Sequence, residues 1–253
     1  MNLYKLRLAT ISATILIALA ILSFMKSSRG EQRNYALYFD GVDDYIEVTN
    51  TNVINQIGSR NFTFSALVLA LESEQVSHPQ IMSNRLTEKI GFLFGFHSRW
   101  RGSENKIPFV QLDSTNWIDY PNQPNLLNGE WHHFVARRRG NNLTYFANGE
   151  LFASFTRGRL VDNNIASEQP LLIGWDKVNS SQTHFKGKID ELSIWNRALS
   201  DAEIQSQMLY SLQGNEPGLI SYWSFDEGSG NLVMDKSGND NHGTIFGAVW
   251  TTK

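Results

Sequence analysis

The turn Asp40-Gly41-Val42-Asp43-Asp44 places three carboxylates within five residues. Clustered hard oxygens of this kind, with backbone carbonyls added, are what a calcium ion takes as ligands. The same aspartates could instead do no more than hydrogen-bond their own backbone at a turn, and the sequence leaves both readings open. A second chemistry lies in aromatic side chains carried by loops. Trp100, Trp117 and Tyr120 fall in a polar stretch from Ser98 to Asn125 broken by prolines, and Trp175 stands in a later loop with Asn179. Exposed rings of this type stack on pyranose faces while neighbouring amides, carboxylates and guanidinium groups reach the hydroxyls. Arg99, Arg101, Asn116, Asp119 and Asp176 are the polar companions here. Any one of these rings could also lie under its own loop.

Other reactive side chains offer less. His132 and His133 are neighbours on an expected strand, so they point to opposite faces and cannot chelate one ion together. Asp235-Lys236-Ser237-Gly238-Asn239-Asp240-Asn241 has the look of a calcium loop, but Phe246 stands where the twelfth-position glutamate is required, which makes it a turn. No G-x-S-x-G sequence nominates a serine nucleophile.

The elements that must position these groups are strands. In Gly129 to Phe155 the turn Asn148-Gly149 supplies the paired positive-φ residues of a two-residue hairpin, and Arg139-Gly140-Asn141-Asn142 makes a looser turn before it. Alternation sets Trp131, His133 and Val135 on one face and His132, Phe134 and Ala136 on the other, with Leu151, Ala153 and Phe155 continuing along the meander. Both faces carry apolar groups, so both should be covered. Further strands are expected at Tyr35 to Phe39, Tyr45 to Val48, Asn61 to Ala70, Gln80 to Ser83, Gly91 to Phe96, Ile107 to Leu112, Pro170 to Gly174 and Lys188 to Asn196. The last of these alternates Ile189, Glu191, Ser193 and Trp195 against Asp190, Leu192 and Ile194. Ser200-Asp201-Ala202-Glu203 is a capping box opening a helix that runs to about Leu212.

FDGVDDYIEV, WHHFVARRRGNNLTYFANGELFAS, LLIGW and FKGKIDELSIWNRALSDAEI, in that order, resemble the laminin G-like jelly roll of the concanavalin A-like lectin and glucanase superfamily. The resemblance covers most of the chain from Tyr35 onward, with the motifs in the family's order up to Ile204. It implies an all-β, two-sheet antiparallel jelly-roll sandwich with one short helix, and related domains serve as lectins, carbohydrate-binding appendages and protein-binding modules. It also implies a structural calcium on Asp190, to which the acidic turn, through Asp40 and Asp43, could supply further oxygens. Glycosidases on this fold carry alternating acids on one strand, as in E-x-D-x-x-E, because nucleophile and acid must face one scissile bond. No such run occurs: Asp190 and Glu191 are adjacent and face apart, and Asp226-Glu227 precede a glycine turn. The resemblance therefore implies a non-catalytic binding module, with a glycan as the first expected ligand and an extracellular protein as the second.

The resemblance breaks order at one place. YWSFDEGSG and DKSGNDNHGT resemble a pattern that opens such domains, yet here they close the sequence. A truncated second repeat, a circular permutation and a docked tail are the alternatives. The apolar Leu219, Tyr222, Trp223, Phe225, Val233 and Trp250 favour strands at the edges of the same domain, which then spans residues 34–250.

Composition narrows the rest. A net charge of -3 carries no basic excess, so nucleic acid is not an expected partner, and Cys 0 excludes disulfides, thiolate metal sites and thiol catalysis. At residues 1–30, Lys5 and Arg7 precede an uncharged apolar run from Leu8 to Met25. That is the layout of an export signal, and the run is also long enough to anchor in a bilayer. Either fate makes the domain extracytoplasmic, with the membrane engaged through this segment alone.

Overall fold

A computed structural model describes residues 34–87, 89–98, 106–112, 123–156, 164–178 and 180–253; the expected signal or anchor at 1–30 lies outside them. Two antiparallel sheets make up the domain. Across the first the order is β15 (Val249–Thr252), β1 (Tyr35–Asp40), β11 (Lys186–Trp195), β3 (Phe62–Leu71), β7 (Asn128–Arg139), β8 (Asn142–Ala147) and β9 (Glu150–Thr156), and β12 (Leu219–Trp223) pairs along the second half of β11. Across the second it is β13 (Leu232–Val233), β14 (Gly243–Phe246), β2 (Tyr45–Val48), β10 (Leu171–Ile173), β4 (Gln80–Ser83), β5 (Leu93–Ser98) and β6 (Lys106–Gln111).

The inner faces meet over a core in which Phe62, Phe64, Phe92, Phe94 and Phe96 are buried completely. Each such ring contributes roughly 1.5–3 kcal/mol by leaving water. The central meander has the expected form: Asn148 and Gly149 take φ of 50° and 78°, and Phe134 and Ala136 enter the core. Val135, on the other face, joins Phe146, Trp195, Leu199, Ile204, Leu219 and Tyr222 in a second apolar cluster. This cluster packs the outer face of the first sheet beneath a helix. After a single turn, α1 (Asn52–Asn55), that helix is α2 (Asp201–Gln207). Its capping box is formed, with the Glu203 amide donating to Ser200 Oγ at 3.2 Å and the Ser200 amide donating to Glu203 Oε2 at 2.7 Å. It stops at Gln207 rather than near Leu212, and Leu212 packs instead on the second cluster.

Two expected alternations are interrupted. In β11 the ladder to β3 shifts between Asp190 and Ser193, with Glu191 at φ 49°. This bulge lets Ile189 and Leu192 both face the core. In β9 the register against β8 shifts between Tyr145 and Phe146, so Leu151 is exposed while Ala153 and Phe155 are buried.

The segment after Gly218 contributes strands to both sheets. β14 pairs with β2 in the second sheet, and β15, after the turn at Gly247, pairs with β1 in the first. Its Asp235 loop is a self-bonded turn: the carboxylate accepts from the amides of Tyr222, Ser237 and Asn241 and from the Ser237 hydroxyl.

Candidate functional site

The acidic turn is built by its own hydrogen bonds. The Val42 amide donates to Asp40 Oδ1 at 2.7 Å, and the Asp40 amide donates to Asp44 Oδ2 at 2.8 Å. Gly41, at φ 81°, is required because a Cβ there would lie 2.7 Å from Cβ of Lys186, the residue opposite Asp40 in the ladder. Carboxylate oxygens of Asp40, Asp43 and Asp44 all lie within 4.8 Å of one another. Asp43 is open to solvent, whereas Asp44 is buried beneath Gly247. Burial holds the Asp44 carboxyl above its ordinary value against the hydrogen bond from the Asp40 amide, and the charges of Asp40 and Asp43 raise it further. The cation nearest in the ladder does not relieve this, since Lys186 Nζ lies 3.5 Å from Glu74 Oε1. Three mutually repelling oxygen donors with two side chains toward water fit the chemistry of a hard divalent ion.

Beside this turn runs a row of aromatic rings assembled from three parts of the chain. Tyr45, which opens β2 directly after the turn, stacks on Phe246 of β14, its ladder partner, with centroids 4.7 Å apart. On its other side Tyr45 meets Trp175 at 5.2 Å, and Trp175 stacks on His184 at 5.2 Å with planes 10° apart. The last pair exists because the loop from Gly174 to Phe185 is closed at its base. The Phe185 amide donates to the Gly174 carbonyl at 2.9 Å, and the Thr183 hydroxyl donates to the Asp176 carbonyl at 2.6 Å. His184 ties the row to the turn: burial lowers its pKa, opposed by a hydrogen bond with the Asp44 backbone and by the charges of Asp43 and Asp40. Phe246 is exposed, and Tyr45, Trp175 and His184 are half-buried.

Behind Trp175 the loop is anchored by an ion pair without solvent. Asp176 is 0% exposed and Arg85 4%. Arg85 grips it through Nη2 on Oδ2 and Nε on Oδ1, while the Ser83 hydroxyl donates to Oδ1 at 2.7 Å and Arg85 Nη1 reaches Gln111 Oε1 at 3.4 Å. Asp176, expected as a loop carboxylate available to sugar hydroxyls, is thus a saturated structural group.

The structure therefore brings Asp40, Asp43 and Trp175 onto one patch, although the sequence suggested them for separate purposes. Asp190 is not among them. Asp40 pairs with Lys186 in β11, four residues before Asp190, which is about 13 Å along a strand. Asp190 lies on the outer face of the first sheet, where it holds the Lys253 ammonium. Trp100, Trp117, Tyr120 and Asn179 lie outside the described residues. Tyr45, Phe246, His184 and Arg85 were not singled out from sequence, though the position of Tyr45 immediately after the acidic turn was a usable signal. The histidine pair faces apart as expected: His132 contacts Asn128 and Asn148, and His133 Nε2 lies 2.7 Å from Ser65 Oγ.

A family model described as the concanavalin A-like lectin/glucanases superfamily matches residues 40–205. No curated protein matches the chain. Among solved structures, the chain is similar to a candidate carbohydrate-binding protein of Bacteroides ovatus, with TM-score 0.65 and 19% identity over 87% of this chain and 60% of that one. It is also similar to the heptameric SAP-like pentraxin of Limulus polyphemus, with TM-score 0.52 and 16% identity over 71% of this chain and 83% of that one. The chain spans about three fifths of the length of the Bacteroides protein. At these identities the likeness is one of fold.

Proposed function

Because the chain belongs to the concanavalin A-like lectin/glucanases superfamily, we propose that it is a non-catalytic, extracytoplasmic carbohydrate-binding module. Its ligand lies along the row Phe246, Tyr45, Trp175 and His184, beside the acidic turn. That row is the observation carrying the reading. Clustered aromatic rings that keep part of their surface in solvent are what a pyranose ring packs on, and the neighbouring carboxylates accept from sugar hydroxyls. Trp100, Trp117, Tyr120 and Asn179 are proposed as additional contacts from their loops. Residues 1–30 are proposed as the export signal or membrane anchor.

Calcium at Asp40, Asp43 and Asp44 is part of this proposal. When bound, the ion would supply positive charge to the rim of the site. The protein's own contribution is three preset carboxylates, one oxygen each of Asp40 and Asp44 being fixed by backbone amides.

A glycan array probed with the full chain, with calcium and with chelator, tests both parts. The expected result is a defined set of sugars lost in Trp175→Ala, and a melting temperature that rises with calcium in the wild type and not in Asp43→Asn. A blank array together with capture of one surface protein would support the second reading, a protein-binding module. The exposed Leu151, Met208, Leu209 and Tyr210 are the observation favouring it.

A further inference from the structure

The Asp190 carboxylate has unsuitable neighbours for a metal ion and suitable ones for an organic cation. It sits at the bulge where β11 slips against β3 and is 1% exposed. Its Oδ2 pairs with the Lys253 ammonium, whereas Oδ1 is buried and, among the described residues, accepts from no side chain. The same ammonium stands 5.4 Å from the centroid of the Trp131 ring, within cation–π range. Trp131 is opposite Leu69, and Asp190 is opposite Leu67. Carboxylate and indole thus face each other across a strip of β3 that presents two half-buried leucines on this side. Glu191 adds no donor for a metal, because its oxygens accept from the hydroxyls of Ser211 and Tyr222. Lys253 is delivered by the strand before it: β15 ends at Thr252, whose carbonyl accepts from Lys188 Nζ at 2.7 Å.

We propose that Asp190 and Trp131 form a binding site for an alkyl-chain cation, ammonium or guanidinium, and that Lys253 occupies it as an internal ligand which an external cation of the same chemistry displaces. The site is separate from the aromatic row and does not depend on the carbohydrate reading. Its parts divide the recognition: the indole face and the carboxylate take the charge, and the leucines take an aliphatic stem. An ammonium engages one carboxylate oxygen, while the planar fork of a guanidinium reaches both, so the guanidinium form binds more tightly.

The test follows thermal melting and tryptophan fluorescence of the full chain in Lys253→Ala, titrated with n-butylguanidinium, n-butylammonium or sodium chloride at equal ionic strength. A blocked tripeptide containing arginine asks whether a protein side chain can be the source of the cation. The expected result is a saturable rise in melting temperature of roughly 5–10 °C at about a hundred times Kd. Guanidinium should be effective at lower concentration than ammonium, and the rise should be absent from Asp190→Asn/Lys253→Ala. A response no larger than that to sodium chloride, or one that survives Asp190→Asn, overturns the proposal. Lys253→Arg gives an independent reading that does not require the site to be vacated. Its melting temperature should exceed that of the wild type, and a value at or below the wild type overturns the proposal.

Discussion

Replacing Asp176 by asparagine keeps the shape of the side chain and removes the charge that Arg85 faces. Both groups are fully desolvated, and Asp176 accepts from Arg85 through two nitrogens and from Ser83 through a third donor. Leaving a buried guanidinium opposite a neutral amide costs about 3–5 kcal/mol, and Arg85→Met strands the carboxylate at similar cost. In a domain of this size each kcal/mol moves the melting temperature by about 2–4 °C, so either single change should lower it by roughly 6–20 °C. The double variant Arg85→Met/Asp176→Leu should cost far less than the sum, because no charge is left unpaired. Denaturant unfolding of the wild type, Arg85→Met, Asp176→Leu and the double variant measures the cycle. Single variants costing under about 1 kcal/mol, or a double variant equal to the sum, would refute the assignment of this pair as a desolvated anchor. The same cycle bears on binding. Asp176 holds the base of the loop that stacks Trp175 on His184, so Asp176→Asn should weaken both stability and sugar binding, whereas Trp175→Ala should act mainly on binding.

Gly247→Ala should destabilise by about 1–3 kcal/mol, because φ 80° strains an alanine and its Cβ would lie 2.0 Å from Asp44 Oδ1. The loss should be smaller in an Asp44→Ala background, and equal losses in both would remove the clash argument. Burial lowers His133 from 6.5 to about 4. A depressed histidine contributes stability that is present above pH 6.5 and lost as pH falls toward 4, on the order of 3 kcal/mol in all. His133→Asn should therefore flatten the stability profile between pH 6.5 and 4, and an unchanged acid limb would count against it. Deleting residues 215–253 should unfold the domain, since strands of both sheets lose partners; a soluble truncation of undiminished stability would make that segment a dispensable repeat instead.

Local rules were legible where a few neighbouring residues decide the outcome. Asn148-Gly149 dictates its turn, Ser200 and Glu203 dictate the helix start, and the alternation through His132 to Ala136 assigns faces correctly, because each depends on geometry within one or two turns of chain. The bulges did not follow from local pattern. Glu191 adopts a positive φ because Ile189 and Leu192 must both reach the core, a demand set by the opposing sheet. The candidate site was half legible for the same reason. Asp40, Asp43 and Trp175 carry their chemistry in their type, but Phe246 acquires meaning through its ladder partner Tyr45, far away in sequence, and Asp176 through Arg85.

The strands after Gly218 bear on the order in which the domain is made. Among the described strands β1 and β2 are synthesised first, and each waits for a partner, β15 or β14, that lies roughly 200 residues later. At about 5–20 residues per second the nascent chain carries those two open edges for roughly 10–40 s. Unpaired edges are templates for wrong pairing. The two edges are therefore open to mispairing until β14 and β15 arrive, and a factor that shields β1 and β2 during that interval should raise the yield of folded domain.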